Sequence, residues 1–397
     1  MLAFSYRAWL AVAISLLPNL VLAGDLVWNG FFSTGIAATN AKYPYQGTIT
    51  GKVHPEERTL LGLNLNKSID SQWRLVGQFV AHSGESDSAL KAEWALVAFV
   101  PSNSFEVRAG RQRLPLWMVS AYYGVGHAYP WVEPPEELYS LFNLQSFDGI
   151  STTFHYTTGQ AAIHILPFFG EVRVEVSPNA PTQQSKLTGS DMRGISVEAE
   201  VDDIMLRSAI VRASWDLNLA PQIQLGVRDV QLVTFGGKAA FGNTFVMAET
   251  ANMQDFDQAK YDKMAEDLDA PIASAASAGD QNTVKALTLQ QLLYRVRVGD
   301  KRATYATLGY NREPYTVFVT AAERKANYIQ QYTQDQKSVA LGASYAVNLY
   351  SDIKIELKHV YLPKDSVGLF SIPIIPINEV GRLRQANVFY MSYDLEF

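Results

Sequence analysis

The chain has 397 residues, with 33 Lys and Arg against 39 Asp and Glu, for a formal charge of −6. That balance excludes a basic nucleic-acid footprint, and 48% hydrophobic against 18% charged residues excludes a disordered chain. The absence of cysteine excludes disulfides, thiolate metal sites and cysteine nucleophiles.

Residues 1–23 read as a targeting segment. Arg7 precedes the apolar run 8–17, Pro18 follows, and Val21-Leu22-Ala23 supplies small residues before Gly24. So short an apolar core cannot span a bilayer, which takes about 20 residues. The expectation is a cleaved signal peptide and a single domain over 24–397. The longest apolar run after residue 23 is 94–100, also too short. If this chain enters a membrane it does so as a closed barrel, the other structure that satisfies every backbone polar group in lipid. A mean hydropathy of −0.04 suits alternating strands.

Period-two alternation recurs along the chain. Trp73, Leu75, Gly77, Phe79 and Ala81 oppose Arg74, Gln78 and His82. Leu90, Ala92, Trp94, Leu96 and Ala98 oppose Lys91 and Glu93. Further on, Ile150, Thr152, Phe154 and Tyr156 oppose Ser151, Thr153 and His155, and Ile195, Val197 and Ala199 oppose Ser196, Glu198 and Glu200. Near the end Ile353, Ile355 and Leu357 oppose Lys354, Glu356 and Lys358. A soluble sandwich would also alternate, so the connections decide more. Short turns at 70–71, 101–103, 158–160, 202–203, 311–314 and 348–351 alternate with longer segments at 41–58, 83–88, 114–147, 177–190, 326–337 and 363–385. Short turns at one end and long loops at the other are the habit of membrane barrels. Between Trp215 and Arg302, segments 223–235 and 239–248 around Gly236-Gly237 would add a hairpin. The expected fold is therefore an all-β transmembrane antiparallel barrel of about 16 strands, or 14 if that hairpin is absent.

Residues 249–269 hold seven acids and two lysines. The plain reading of 249–290 is a solvated, partly helical external loop; the functional one is a negative mouth that attracts cations. At the C-terminus, Phe389, Met391, Tyr393, Leu395 and Phe397 alternate onto one face, as a lipid-facing closing strand would.

With these features the chain resembles the porin superfamily of Gram-negative outer membranes. The opening Trp28-Asn29-Gly30-Phe31-Phe32-Ser33-Thr34-Gly35 is similar to that family's first strand. The ending Tyr393-Asp394-Leu395-Glu396-Phe397 is similar to its last, where Tyr393, Leu395 and Phe397 serve as an assembly signal. The family folds a long loop into the lumen after its fifth strand; here Phe105–Arg113 is fifth and segment 114–147 follows. His127-Ala128-Tyr129-Pro130-Trp131-Val132-Glu133-Pro134-Pro135-Glu136 looks like the corresponding stretch of uncharacterised bacterial porin-like proteins.

The resemblance implies passive diffusion of ions and small hydrophilic solutes through a water-filled pore, in a homotrimer. Its expected partners are the lipid bilayer, lipopolysaccharide and the outer-membrane assembly machinery, with no nucleic acid, cofactor or metal. Loop 114–147 is rich in aromatic residues and should pack against the lumen. Tyr122, His127, Tyr129, Trp131, Glu133, Glu136 and Glu137 would then line the constriction. Inward phases place Arg74, Lys91, Arg108 and Arg212 on the pore wall. Opposed charges across a constriction set a transverse field; the plain alternative for each is a lumen ion pair without a selectivity role. Three loop carboxylates and an acidic mouth suggest a wide pore of modest cation preference.

Two other classes deserve weight. A barrel enzyme of the phospholipase type would need a serine beside a histidine on the lipid face, yet the chain has no Gly-x-Ser-x-Gly or His-Glu-x-x-His motif. A secreted β-sandwich that binds glycans would also alternate, but has no reason to sort its loops by length.

Overall fold

The computed structural model describes residues 26–53, 58–83, 90–142, 144–176, 185–220, 223–295, 299–329, 332–370 and 383–397. Residues 1–23, expected to be a cleaved signal peptide, lie outside them. Sixteen long strands follow one another among the described residues. They are β1 Leu26–Thr39, β2 Leu60–Ser68, β3 Trp73–His82, β4 Leu90–Ser102, β5 Phe105–Arg113, β6 Ser146–Thr158, β7 Ala161–Val176 and β8 Ser185–Val201. The second half comprises β9 Ile204–Ala220, β10 Ile223–Phe241, β11 Thr244–Asp255, β12 Lys301–Arg312, β13 Tyr315–Ile329, β14 Gln336–Asn348, β15 Ser351–Tyr361 and β16 Gln385–Glu396. Each pairs antiparallel with its sequence neighbours, and β1 pairs with both β2 and β16, so the sheet closes on itself. A two-residue strand, Tyr332–Thr333, adds a short pairing at the end of β13. No helix among the described residues is long and apolar enough to cross a membrane.

The pleat sorts side chains to two faces. Outward residues such as Trp73, Leu75, Phe79, Ile150, Phe154, Leu341, Leu357 and Phe389 are apolar and exposed. An exposed apolar surface that runs around a barrel has one natural solvent, lipid. Closure at the terminus rests on the main chain. Gly30 N–H donates to Phe397 O at 2.8 Å and Phe397 N–H donates to Gly30 O at 3.0 Å, while the Phe397 ring meets Trp28 edge-on.

Three expectations need correction. Strand β10 runs straight through Gly236-Gly237, and its turn falls at Gly242-Asn243, where Gly242 takes φ of +59°. Two glycines mid-strand therefore mimicked a turn, while the turn itself needed only one left-handed residue. In β4 a bulge at Glu93 shifts the register, so that Gln78 faces Trp94 but Phe79 faces Ala92. Leu90 stays on the outer face, whereas Leu96 and Ala98 are buried inside. The third concerns the acidic segment. Glu249 and Asp255 are not external: they belong to β11 and face inward, buried.

Beyond β11 the chain forms helices Gln258–Glu266, Asp269–Ser277 and Gln281–Tyr294. Their anchor is Arg228 of β10, which is fully buried. It pairs with Asp255 at 2.9 Å, donates to Gln258 Oε1 at 3.0 Å and to the Tyr294 carbonyl at 3.1 Å, and lies over the Tyr261 ring.

Candidate functional site

Strand β5 ends at Arg113 and β6 begins at Ser146; the segment between them, 114–145, leaves the wall and crosses the lumen. Its stem is closed by Leu114 N–H donating to Gln145 O at 2.8 Å. Beyond the stem come turns of 3-10 helix at Ser120–Tyr122 and Gly126–Ala128 and one α-helical turn at Glu136–Tyr139. Leu114, Leu116, Trp117, Met118, Trp131, Leu138 and Tyr139 are buried against inward side chains of β6–β13, among them Phe168, Met192, Trp215, Leu232, Met253 and Tyr305. Each large side chain so buried contributes roughly 1.5–3 kcal/mol. One side of the lumen is thus a dry core.

Polar wall groups satisfy the loop's backbone and its charges. Thr234 Oγ1 donates to Leu116 O at 2.8 Å, and Glu249 accepts from Met118 N–H at 3.0 Å and from the Tyr139 hydroxyl at 2.9 Å. Trp131 Nε1–H lies within reach of Thr307 and Thr320, at 3.1 and 3.0 Å. Glu356 accepts from Val132 N–H at 3.2 Å. Lys354 donates to the carbonyls of Gly126, Tyr129 and Trp131. Gly126 admits this approach because a side chain there would run into the Asp394 carboxylate.

The loop carboxylates separate into two roles. Glu136 and Glu137 are buried, not turned to open lumen. Glu136 pairs with Lys358 and accepts from the Tyr390 hydroxyl; Glu137 lies 3.5 Å from Lys358 and accepts from Gln336 at 2.6 Å. Arg324 completes this contact by donating to Ser140 Oγ at 2.8 Å. Buried carboxylates require such partners, so these two fasten the loop to β13–β16. Glu133, by contrast, pairs with Arg58 beside an open cavity of about 200 Å³.

That cavity lies between the loop and β1–β5. Ser33 and Gly35 of β1, Val80 and His82 of β3, Tyr123 and Tyr129 of the loop and Ser392 of β16 line it. So do two ion pairs, Arg58–Glu133 and Arg113–Glu93, the latter at 3.1 Å. Burial lowers the Arg58 guanidinium from its ordinary range and raises the hydroxyls of Tyr123 and Tyr129.

The remaining expected residues fall as follows. Tyr122 packs against the apolar core, and His127 Nδ1 stands 3.5 Å from Asp352 at the loop's far end. Trp131 is inside the core rather than at an opening. Arg74 and Arg108 share Glu106 at 3.1 and 3.0 Å on the lumen face, and Lys91 faces inward opposite Val80. Arg212 faces outward, where it pairs with Asp229 at 2.9 Å and lies over the Phe256 ring. It left the wall because the inner face of β9 is apolar (Met205, Ala209, Val211, Ala213, Trp215), so the rule that polar residues face the lumen inverts there. Sequence reasoning missed Arg58, Arg113 and Glu93, and the anchors Lys354, Lys358, Glu249 and Glu356. The charge at every second position of β15 was the readable signal for three of them.

Among the described residues, His359 is the histidine on the outer face. It hydrogen-bonds Asn387 at 2.6 Å, its ring meets Tyr361, and its register partners are Val339 and Asn387. A hydroxyl nucleophile of the serine type does not stand in that register.

No family model and no curated protein sequence matches this chain. Solved structures do. It is similar to OmpF of Salmonella typhi in complex with daunomycin, with a TM-score of 0.55 and 11% identity over 94% of this chain and 97% of that one. For the anion-selective porin from Comamonas acidovorans the values are 0.54 and 11%, over 94% and 99%. The outer-membrane channel DcaP of Acinetobacter baumannii gives 0.53 and 9%, over 94% and 97%. OmpT, an outer membrane protein of Vibrio cholerae, matches at 0.53 and 11% over 94% and 97%. The chain has the porin-like fold, a closed sixteen-stranded outer-membrane type of barrel.

Proposed function

We propose that this protein is an outer-membrane channel through which ions and small hydrophilic solutes diffuse passively, working as a homotrimer in a lipopolysaccharide-containing membrane. The observation that carries the reading is the cavity left beside the docked loop. A barrel whose loop filled the whole lumen would be a plug; here the filled side faces β6–β13 and an opening lined by Arg58, Glu93, Arg113 and Glu133 remains against β1–β5. This reading makes the pore narrow rather than wide. Its ion preference no longer rests on three loop carboxylates, because Glu136 and Glu137 are engaged by Lys358. Two carboxylates are each paired with a guanidinium at the opening, so the charges nearly cancel and weak selectivity follows.

The test is current across a planar bilayer. Purified protein added to one side should give stepwise conductance increments, and a salt gradient should give a small reversal potential. Protein that inserts without any step in current would sink the reading.

A further inference from the structure

We propose that His155 and His164 form a binding site for a first-row divalent transition metal, such as Zn²⁺ or Ni²⁺, on the lumen wall. The two residues are direct register partners on β6 and β7. Both lie on the inward phase, alongside the buried Ser151 and Thr153 of β6 and the buried Phe168 of β7. They sit just above the short Thr158–Ala161 connection, so the pair occupies the turn end of the lumen, below the dry core and open to solvent.

Their geometry is that of two lone pairs aimed at one point. The Nδ1 atoms are 2.7 Å apart, the ring centroids 4.8 Å apart, and the rings are inclined at 77°. In the metal-free pair one ring donates its Nδ1 hydrogen to the Nδ1 of the other. Two imidazoles on a tetrahedral ion with bonds of about 2.0–2.1 Å would hold their nitrogens about 3.3 Å apart. A small rotation of either side chain supplies the difference. Metal binding needs both Nδ1 atoms bare, which a neutral donor ring reaches by carrying its hydrogen on Nε2 instead.

The surroundings set which ions would be taken and how firmly. Glu198 faces His164 across β7 and β8 but is held by Arg207 at 3.1 Å, and Glu106 is shared by Arg74 and Arg108. No cluster of three or more His, Asp or Glu side chains among the described residues is arranged around a cation. The site is therefore bidentate, its shell completed by water, which favours imidazole-seeking Zn²⁺, Ni²⁺ and Cu²⁺ over the oxygen-seeking Mg²⁺ and Ca²⁺. It would be an exchangeable site, not a structural one.

The experiment is calorimetric titration of ZnCl₂ into tag-free, detergent-folded protein in a buffer without phosphate or chelator. Wild type should bind one equivalent, and H155Q and H164Q should each weaken binding at least tenfold. H82Q and H127Q should bind as wild type does. The folded state of each variant is checked beforehand by its heat-modifiable gel mobility; both histidines are solvent-facing, so the barrel should persist. Wild type that takes up no zinc, or an H155Q/H164Q double variant that binds one equivalent as tightly as wild type, would overturn the proposal. Because binding is read without any current, failure of this site and failure of the channel reading are distinguishable.

Discussion

Lys354 Nζ lies 2.7 Å from the carbonyl oxygen of Tyr129, so a lysine on the barrel wall holds the backbone of the lumen loop. The same ammonium reaches the carbonyls of Gly126 and Trp131, and three acceptors matched to its three hydrogens leave it buried yet satisfied.

Replacing Lys354 with methionine should loosen the loop without unfolding the barrel. Each carbonyl deprived of a buried donor costs about 1–3 kcal/mol, whereas the ladders of β15 and β16 are untouched. Single-channel recordings of K354M should show larger or noisier openings than wild type. Unchanged amplitude and noise would mean that the apolar core alone fixes the loop.

Selectivity should respond to Glu133 and not to Glu136. E133Q leaves Arg58 unpaired at the opening, so the reversal potential in a KCl gradient should move toward anions; R58Q should move it toward cations. One unit charge at about 4 Å in water is worth about 1 kcal/mol, roughly fivefold in a permeability ratio. E136Q should alter open-state stability through Lys358 while leaving the sign of selectivity alone. Equal shifts for E133Q and E136Q would show that both carboxylates see the permeant ion.

The helical segment 258–294 should come loose when its root is cut. In R228M the Asp255 carboxylate is left buried and unpaired, at a cost of about 3–5 kcal/mol. Limited proteolysis should then cleave within 258–294 much faster than in wild type, with conductance preserved. Adding D255N should slow cleavage again, since a neutral amide is cheaper to bury. Cleavage of R228M at the wild-type rate would assign the anchoring to Tyr261 and Tyr294 instead.

Deleting Phe397 should impair membrane assembly in cells more than folding in detergent. Its main-chain bonds to Gly30 and its contact with Trp28 add only one residue to a nine-residue β1–β16 register. Equal assembly yields for the deletion and wild type would remove any signalling role from Tyr393, Leu395 and Phe397.

The sequence made the strands legible because lipid outside and polar lumen inside enforce period two. Phe105–Arg113 and Trp73–His82 were readable to the residue for that reason. It misled wherever the lumen is not polar. Beneath the loop, β9 is apolar inside, so Arg212 was assigned the wrong face. Glu136 and Glu137 looked like pore charges because their partner Lys358 stands more than two hundred residues away, and no local pattern ties them to it. Arg58 precedes a strand and Glu93 occupies a bulge, two places where alternation carries no phase.

The asymmetric lumen divides the wall by the kind of selection it can feel. A change on the inner face of β9 or β11, or of β7 at Phe168 and Val172, meets close-packed loop side chains, and should register as misfolding before it registers as altered flux. A change among the polar residues that border the cavity beside β1–β5 meets water and a handful of charges, and can adjust what passes at little cost to assembly. Variation that adapts this barrel to a new solute is therefore to be sought on the water-facing arc, and an engineer's library would be best confined there.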